Sequence, residues 1–391
     1  MKTTICVIFG GKSAEHDVSI ITGIQAINKL SKDKYNVVPV YISREGVWHS
    51  GLKLLNLNAY KNPNSLLNQV DKVYFKPSFG DHTLYFEKKS LLGNKRQIQI
   101  DVVIPALHGT YGEDGKIQGL LELIGIPYTG CDTLASAVGM DKIAMKKILA
   151  FNKLPLVSHF SFDIREWYTN QNAILEKANS MEYPLIIKPS DLGSSIGVSK
   201  ANNQNELIEA IDLASQFSNN VIVEKMVKNL LEINCAVVGN KEKATASYCE
   251  EPYFEDDVLS YKDKYVSKEG SSEGMGGSKR TIPADIPAEQ TKKIQEMAIE
   301  TFKCLFSEGV ARIDFLIDKN DNKIYVNEIN TLPGSFAFYL FEPAGKPFAT
   351  LLEEIIQLAI QRRKRQDGLT TNINVNIFSN DLGSFPKLGK A

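Results

Sequence analysis

Residues 311–330 read ARIDFLIDKNDNKIYVNEIN, and this stretch decides the fold. Apolar residues recur on both sides of the turn-forming run Asp318–Asn322, which predicts a β-hairpin bending near Asp321. That register sets Asp314 beside Glu328. Glu328 and Asn330 are two apart and share one strand face, as do Arg312 and Asp314. Two carboxylates and an amide oxygen are hard donors, suited to Mg2+ bridging a polyphosphate. A solvated polar hairpin face is the plainer alternative, but the flanking residues are apolar.

Upstream, residues 184–198 read PLIIKPSDLGSSIGV. A lysine, Lys188, ends a buried strand, and a Gly-Ser-Ser-x-Gly loop follows. Backbone N–H groups and hydroxyls on such a loop can wrap phosphate oxygens, and Lys188 adds a point charge. A merely flexible turn is the alternative. The neighbouring elements are a helix near 141–151, a short strand at Ile196–Val198, a helix near 205–216, and strands near 221–225 and 233–238. Residues 266–281, rich in Gly, Ser and charge, read as a long mobile loop. A helix over Pro287–Leu305 precedes the hairpin, and another near 349–361 ends in Arg362-Arg363-Lys364-Arg365. Cations at a helix C-terminus favour its dipole, so this run needs no nucleic acid to explain it.

Nearer the N-terminus, Ile5–Phe9 reads as a buried strand closed by Gly10-Gly11. Apolar residues at helical spacing follow, then strand-like Val37–Ile42, which makes a βαβ unit. The first run is too short for a signal peptide. Ile98–Ile104 reads as one further strand, and Ile117–Ile124 as a helix. Gly10-Gly11-Lys12-Ser13 is not a P-loop, because Cys6 stands where GxxxxGK[ST] needs glycine. The glycine turn could still present N–H groups to an anion. No GxGxxG follows the first strand, which disfavours a dinucleotide-binding protein.

The 391 residues suit two or three domains. With 45 basic and 46 acidic residues, the chain is not a global nucleic-acid binder. No apolar run reaches the roughly 20 residues of a membrane span. Five scattered cysteines without a CxxC pair read as inert thiols in a reducing cytoplasm, not as a disulfide or zinc framework.

Taken together, the motifs resemble those of D-alanine–D-alanine ligases in the ATP-grasp superfamily. The matching stretches are Gly10–Ser19 (GGKSAEHDVS), His108–Gly119 (HGTYGEDGKIQG), Pro127–Gly130, Met140–Lys142, Lys188–Gly197, Lys264-Tyr265, Arg312–Asp314 and Asn327–Gly334 (NEINTLPG), in the family's order. The resemblance covers about residues 1–365. It implies an α/β and α+β architecture: an ATP-grasp fold behind an N-terminal Rossmann-like domain. Residues 1–140 would bind the first amino acid. Residues 141–240 would form the central subdomain, 241–366 the C-terminal subdomain with the metal site, and 367–391 an irregular tail.

The same resemblance implies roles. Lys142 and Lys188 would contact ATP phosphates, helped by Ser194, Ser195 and Lys264. Glu224, Lys225 and Val227 would line the adenine hinge, and Glu232 would hold the ribose. Asp314, Glu328 and Asn330 would hold two Mg2+ ions, with Mn2+ able to substitute. Glu15 would take the ammonium of the first D-amino acid, with His108 nearby. Arg312 and the Gly334 backbone would stabilise the transition state, while Ser194 and Tyr265 would bridge to Glu15 and close loops over the site. Tyr339 and Leu340 would face the acceptor. The family usually has a small hydroxyl residue about five positions after Pro-Gly, where this chain has Tyr339. The expected activity is ATP-dependent ligation of two D-alanines for peptidoglycan precursors, in the cytoplasm, by a homodimer. A related amino-acid ligase with another acceptor, or a non-catalytic nucleotide-binding scaffold, are the competing readings.

Overall fold

The computed structural model describes residues 2–88, 96–253 and 280–371. Lys264, Tyr265, nearly all of the loop 266–281 and most of the tail 367–391 lie outside these residues. Three sheets carry the described chain, of seven, four and five strands.

In the first sheet, Thr3–Gly10 pairs in parallel with Tyr35–Ile42 on one side and Val102–Pro105 on the other. The helix His16–Lys29 connects the first pair, completing the expected βαβ unit. Its turn depends on Gly10, whose φ is +91° and where a Cβ would stand 2.3 Å from the Ile42 carbonyl oxygen. Four antiparallel strands extend the sheet in the order Trp48–Ser50, Asp71–Phe75, Thr83–Phe86 and Gln97–Gln99. The single strand expected over Ile98–Ile104 is therefore two strands at opposite sheet edges. The chain breaks at Asp101, whose carboxylate accepts from the Thr4 N–H at 2.7 Å.

The second sheet is antiparallel: Ser199–Ala201, Leu185–Pro189, Asn220–Lys225 and His159–Asp163. Its short edge strand begins at Ser199, after the expected Ile196–Val198, because Gly197 has a φ of +72° and cannot continue an extended run. The third sheet runs Arg280–Thr281, Ala244–Pro252, Leu230–Gly239, Gly309–Asp318 and Lys323–Asn330. Leu230–Gly239, grouped above with the central unit, is hydrogen-bonded along its whole length to Gly309–Asp318. The boundary set at 240 thus cuts off a strand of the C-terminal sheet.

Strands Gly309–Asp318 and Lys323–Asn330 form the expected hairpin. Asp314 faces Glu328 and Arg312 faces Asn330. A bulge between Asp314 and Phe315 then shifts the register, leaving Asn327 as the extra residue.

The final helix, Phe348–Asp367, extends six residues beyond the expected 361. Its Phe348, Leu352, Ile355 and Ile356 share one buried cluster with Ile5, Val7 and Ile104 of the first sheet. Each such side chain contributes about 1.5–3 kcal/mol by leaving water. Arg362, part of the basic run, is buried in this contact. Its guanidinium donates to the carbonyls of Gly130 (2.6 Å) and Tyr128 (2.7 Å) and lies 4.4 Å from the Tyr128 ring centroid. The five cysteines are free, four of them buried. Among the described residues, no helix is long and apolar enough to cross a membrane.

Candidate functional site

One cleft opens where the three sheets meet. It is lined by every expected site residue among the described ones except Leu340. The Leu340 side chain is fully buried in the apolar core instead, so its expected contact with the acceptor is corrected.

At the N-terminal wall stands Glu15, 8% exposed, just before the first helix. Its carboxylate accepts from the Ser194 hydroxyl, which comes from the central loop. Ser194 and Ser195 both hold left-handed backbone, with φ of 53° and 57°. Conformations this costly for non-glycine residues cluster where structure is over-determined for function. The glycine turn at Gly10-Gly11 does not face an anion. The Gly11 N–H donates to the Ile42 carbonyl (2.8 Å) and the Gly10 N–H to the Ser19 hydroxyl (2.8 Å). His16 is likewise internal, bonded to the Gly11 carbonyl and the Tyr41 hydroxyl.

His108 ties this wall to the segment that follows the hairpin. Its Nδ1 lies 2.9 Å from the Leu332 carbonyl oxygen, which makes Nδ1 the protonated nitrogen. Nε2 then accepts from the Thr22 hydroxyl at 2.8 Å, and that hydroxyl oxygen accepts from the Ser335 N–H at 3.1 Å. Burial lowers the His108 pKa and keeps the ring neutral. Ser335, Phe336 and Ala337 form three consecutive left-handed residues, and the Ser335 hydroxyl also donates to Gln25 at 2.7 Å. Sequence reasoning passed over Glu113. It is buried beside Glu15 and accepts from the Gly109 N–H at 2.8 Å. Burial, and then the Glu15 charge, raise its pKa well above the usual carboxylate range. Its place in the His108–Gly119 motif was the available signal.

The floor of the cleft is built of lysines. Lys142 donates to the Leu192 carbonyl at 2.7 Å and stands 3.6 Å from a Glu328 oxygen. Lys188 pairs with Glu224 at 2.8 Å and reaches Asn327 at 3.4 Å. Lys146 is almost fully buried and pairs with the other Glu224 oxygen at 3.0 Å. The Glu224 carboxylate is thus held between two lysines, and the residue lines the cleft beside Lys225 and Val227. Burial would raise its pKa, but Lys146 and Lys188 together pull it far below the usual value. Lys146 lies one helical turn after Lys142, a spacing legible in the sequence. The Lys225 ammonium turns outward to Glu182 at 3.1 Å. Between these groups Ile186, Val198, Met226, Val227, Leu230 and Leu316 supply apolar walls suited to a flat ring. Glu232 lines the same region.

On the hairpin, Arg312 grips Asp314 through one guanidinium edge, Nε and Nη2 donating to the two carboxylate oxygens at 2.7 and 2.8 Å. Burial alone would lower the Arg312 pKa, but Asp314 raises it well above the ordinary value and fixes the charge. Asn330 donates to Asp314 at 3.0 Å. No cluster of three His, Cys, Asp or Glu side chains suited to a metal occurs among the described residues. The Asp314–Glu328 pair with the Asn330 amide fits a hard cation that completes its shell with phosphate oxygens and water.

Tyr339 is 8% exposed and lines the cleft near Gly334. Arg280 and Glu250, neither read from the sequence, complete that wall. Arg280 belongs to no recognised motif, so nothing local marked it.

The chain matches two family models, the D-ala D-ala ligase N-terminus over residues 4–131 and the D-ala D-ala ligase C-terminus over 148–357. It is 39% identical to a D-alanine–D-alanine ligase of Thermosipho africanus, over 95% of this chain and 97% of the relative. With the corresponding protein of Acetivibrio thermocellus the identity is 38%, over 92% and 96%. The D-alanine–D-alanine ligase of Coxiella burnetii superposes with a TM-score of 0.78 at 30% identity, covering 94% of this chain and 96% of that one. VanG, a D-Ala:D-Ser ligase from Enterococcus faecalis, gives 0.78 at 31% identity, covering 92% and 100%. By sequence and by architecture, the chain belongs to the D-alanine–D-alanine ligase family.

Proposed function

We propose that the protein joins two D-alanines to D-alanyl-D-alanine at the expense of ATP, supplying peptidoglycan precursors in the cytoplasm. The observation that carries this reading is the convergence of Glu15, the lysine floor and the Arg312–Asp314–Glu328 hairpin in one cleft.

A free carboxylate is a poor electrophile because oxide would have to leave. Transfer of the ATP γ-phosphoryl group to a carboxylate oxygen of the first D-alanine gives an acyl phosphate and ADP. The amine of the second D-alanine then attacks the carbonyl carbon. A C–N bond forms, the C–O bond to phosphate breaks, phosphate leaves, and the amine loses a proton.

Glu15 holds the donor ammonium, and Ser194 fixes the Glu15 carboxylate in place. Lys142 and Lys188 neutralise phosphate oxygens, while Glu224 and Lys146 set where Lys188 stands. The apolar walls and the 225–227 backbone take the adenine, with Glu232 at the ribose. Arg312 and the Gly334 N–H face the oxygens that gain charge in both steps. Asp314, Glu328 and Asn330 would hold two Mg2+ ions, which would supply charge neutralisation during phosphoryl transfer. Lys264 and Tyr265 are assigned to closing the site, which protects an acyl phosphate from water. A homodimer is the proposed assembly, checked by sedimentation.

The test is purified protein with ATP, Mg2+ and a panel of D- and L-amino acids, measuring phosphate and dipeptide. D-alanyl-D-alanine should be the main product. No dipeptide from D-alanine, with product from another pair, would overturn the substrate assignment. ATP binding without turnover on any acceptor would favour a scaffold.

A further inference from the structure

On both sides of Gly334 the chain is tied to the first domain. The Thr331 hydroxyl donates to the Glu113 carbonyl at 3.3 Å, and the Leu332 carbonyl oxygen lies 2.9 Å from His108 Nδ1. Beyond Gly334, the Ser335 N–H donates to the Thr22 hydroxyl oxygen at 3.1 Å, and the Ser335 hydroxyl to Gln25 at 2.7 Å. Thr22 and Gln25 belong to the helix His16–Lys29, which opens just after Glu15. Thr22 stands seven residues on from Glu15, about two turns along the same helix face. That helix lies flush on the first strand, since a Cβ at Gly23 would stand 2.5 Å from the Phe9 Cβ. It has no room to shift toward the sheet.

The turn held this way is a costly one. Ser335, Phe336 and Ala337 have φ of 52°, 55° and 50°. Left-handed backbone costs a non-glycine residue roughly 1–2 kcal/mol, so three in a row persist only where their surroundings hold them. Inside the turn, the Phe336 N–H donates to the Pro333 carbonyl at 2.8 Å. Outside it, Phe336 and Ala337 share a buried cluster with Ile20, Ile24 and Ile27 of the helix. Thr22 supplies the polar hold on the backbone. It is 1% exposed, and its one hydroxyl serves two partners. With the proton on His108 Nδ1, Nε2 accepts from Thr22 at 2.8 Å. The Thr22 proton is thereby committed to His108, and the oxygen lone pairs are left to the Ser335 N–H.

Resting on the proposed ligase reading, we propose that Thr22 is a positioning residue for the reaction: its hydroxyl, oriented by His108, sets where the Gly334 N–H meets the oxygens that gain charge. One helix then carries the donor site at its start and this hold two turns later. The donor amino acid and the stabilising N–H are registered to each other through a single rigid element. Such registration matters because a misplacement of about 1 Å at a stabilising donor costs about 100-fold in rate. A threonine that only fills space in the helix interior needs no hydroxyl, and valine would serve in its place.

The test separates the hydroxyl from the shape. Thr22→Val keeps the shape and removes the hydroxyl, whereas Thr22→Ser keeps the hydroxyl. In Thr22→Val, kcat for D-alanyl-D-alanine formation should fall by about 10- to 100-fold, the scale of a buried N–H left without its acceptor. The Kd for ATP, from calorimetry, should stay within about twofold. A phosphinate analogue of the dipeptide, whose tetrahedral phosphorus copies the attacked carbon, should bind more weakly by the factor that kcat loses, as an interaction made in the transition state requires. Thr22→Ser should restore kcat to within about threefold. Thr22→Ala, which adds no methyl against Ser335, takes the place of the valine variant if that one does not fold. Full kcat in a folded variant without the hydroxyl overturns the proposal, and so does an equal loss of affinity for ATP and for the phosphinate. Failure of the wild-type protein to make D-alanyl-D-alanine would instead sink the ligase reading itself, and so the two failures are told apart.

Discussion

The Ser194 hydroxyl donates to the Glu15 carboxylate across 179 residues of sequence, joining the first domain to the central phosphate loop. Removing that hydroxyl should leave the donor ammonium a mobile partner. Ser194→Gly suits the test because glycine tolerates the positive φ at this position. The loss of a hydrogen bond to a charged group predicts kcat/KM for the donor lower by about 10- to 100-fold. ATP binding, followed by calorimetry, should change little. Equal losses for donor and ATP would show that the loop had simply collapsed.

Glu328→Gln tests the metal hairpin. The amide keeps shape but removes a charge facing Lys142, whose ammonium is 3.6 Å away. Turnover should drop by about 1000-fold while far-UV circular dichroism stays unchanged, in line with the several kcal/mol a bound cation supplies to the transition state. The Mg2+ concentration for half-maximal residual rate should rise. An undiminished rate would remove Glu328 from the metal assignment.

Lys146→Met examines the charge under the phosphate floor. The change strips one of two partners from a buried carboxylate, and breaking such a pair costs about 3–5 kcal/mol. Denaturant melts should register that loss, and KM for ATP should rise because Lys188 is pulled further toward Glu224. Combining it with Glu224→Gln should recover part of the stability, since the buried carboxylate is then gone and only Lys188, at the edge of the cleft, has lost its partner. Strictly additive losses would mean that the two groups are not coupled.

His108 carries a pH prediction. Its folded pKa is lowered below the ordinary 6.5 by burial, so below pH 6.5 the unfolded chain binds a proton that the folded chain refuses. Its contribution to stability is therefore complete above 6.5 and is lost as pH falls through that value toward the folded pKa. Protonation would also cost the bond from Thr22 to Nε2. In His108→Gln, the fall in melting temperature between pH 7.5 and pH 5 should be shallower than in wild type. Parallel slopes would place the acid sensitivity elsewhere.

The hairpin is the part of the site most legible in the sequence, because turn position and period-two alternation fix which residues face each other. The pairs Asp314–Glu328 and Arg312–Asn330 follow from that alone. The bulge that frees Asn327 does not, since one extra residue can enter at any rung. Arg280 and Glu250, which meet Tyr339 in the same wall, were illegible for another reason: they approach it only through the pairing of strands far apart in sequence. The split of Ile98–Ile104 at Asp101 was hidden because the alternation of Ile98 and Ile100 runs straight into the apolar Val102–Ile104 and nothing marks the strands' different neighbours. Motif order carried the rest, since each motif ends a strand or opens a helix at the common cleft.

The contact of the last helix with the first sheet has a consequence for biogenesis. Phe348, Leu352 and Ile355 share one buried cluster with Ile5, Val7 and Ile104, and Arg362 donates to the carbonyls of Tyr128 and Gly130. On the ribosome, the opening βαβ unit must wait until nearly the whole chain has emerged before that face is covered. A nascent chain stalled before residue 348 would expose a sticky apolar sheet, and an excised 1–140 fragment would inherit the same exposure. The amino-terminal segment is thus first to be made and among the last to be sealed.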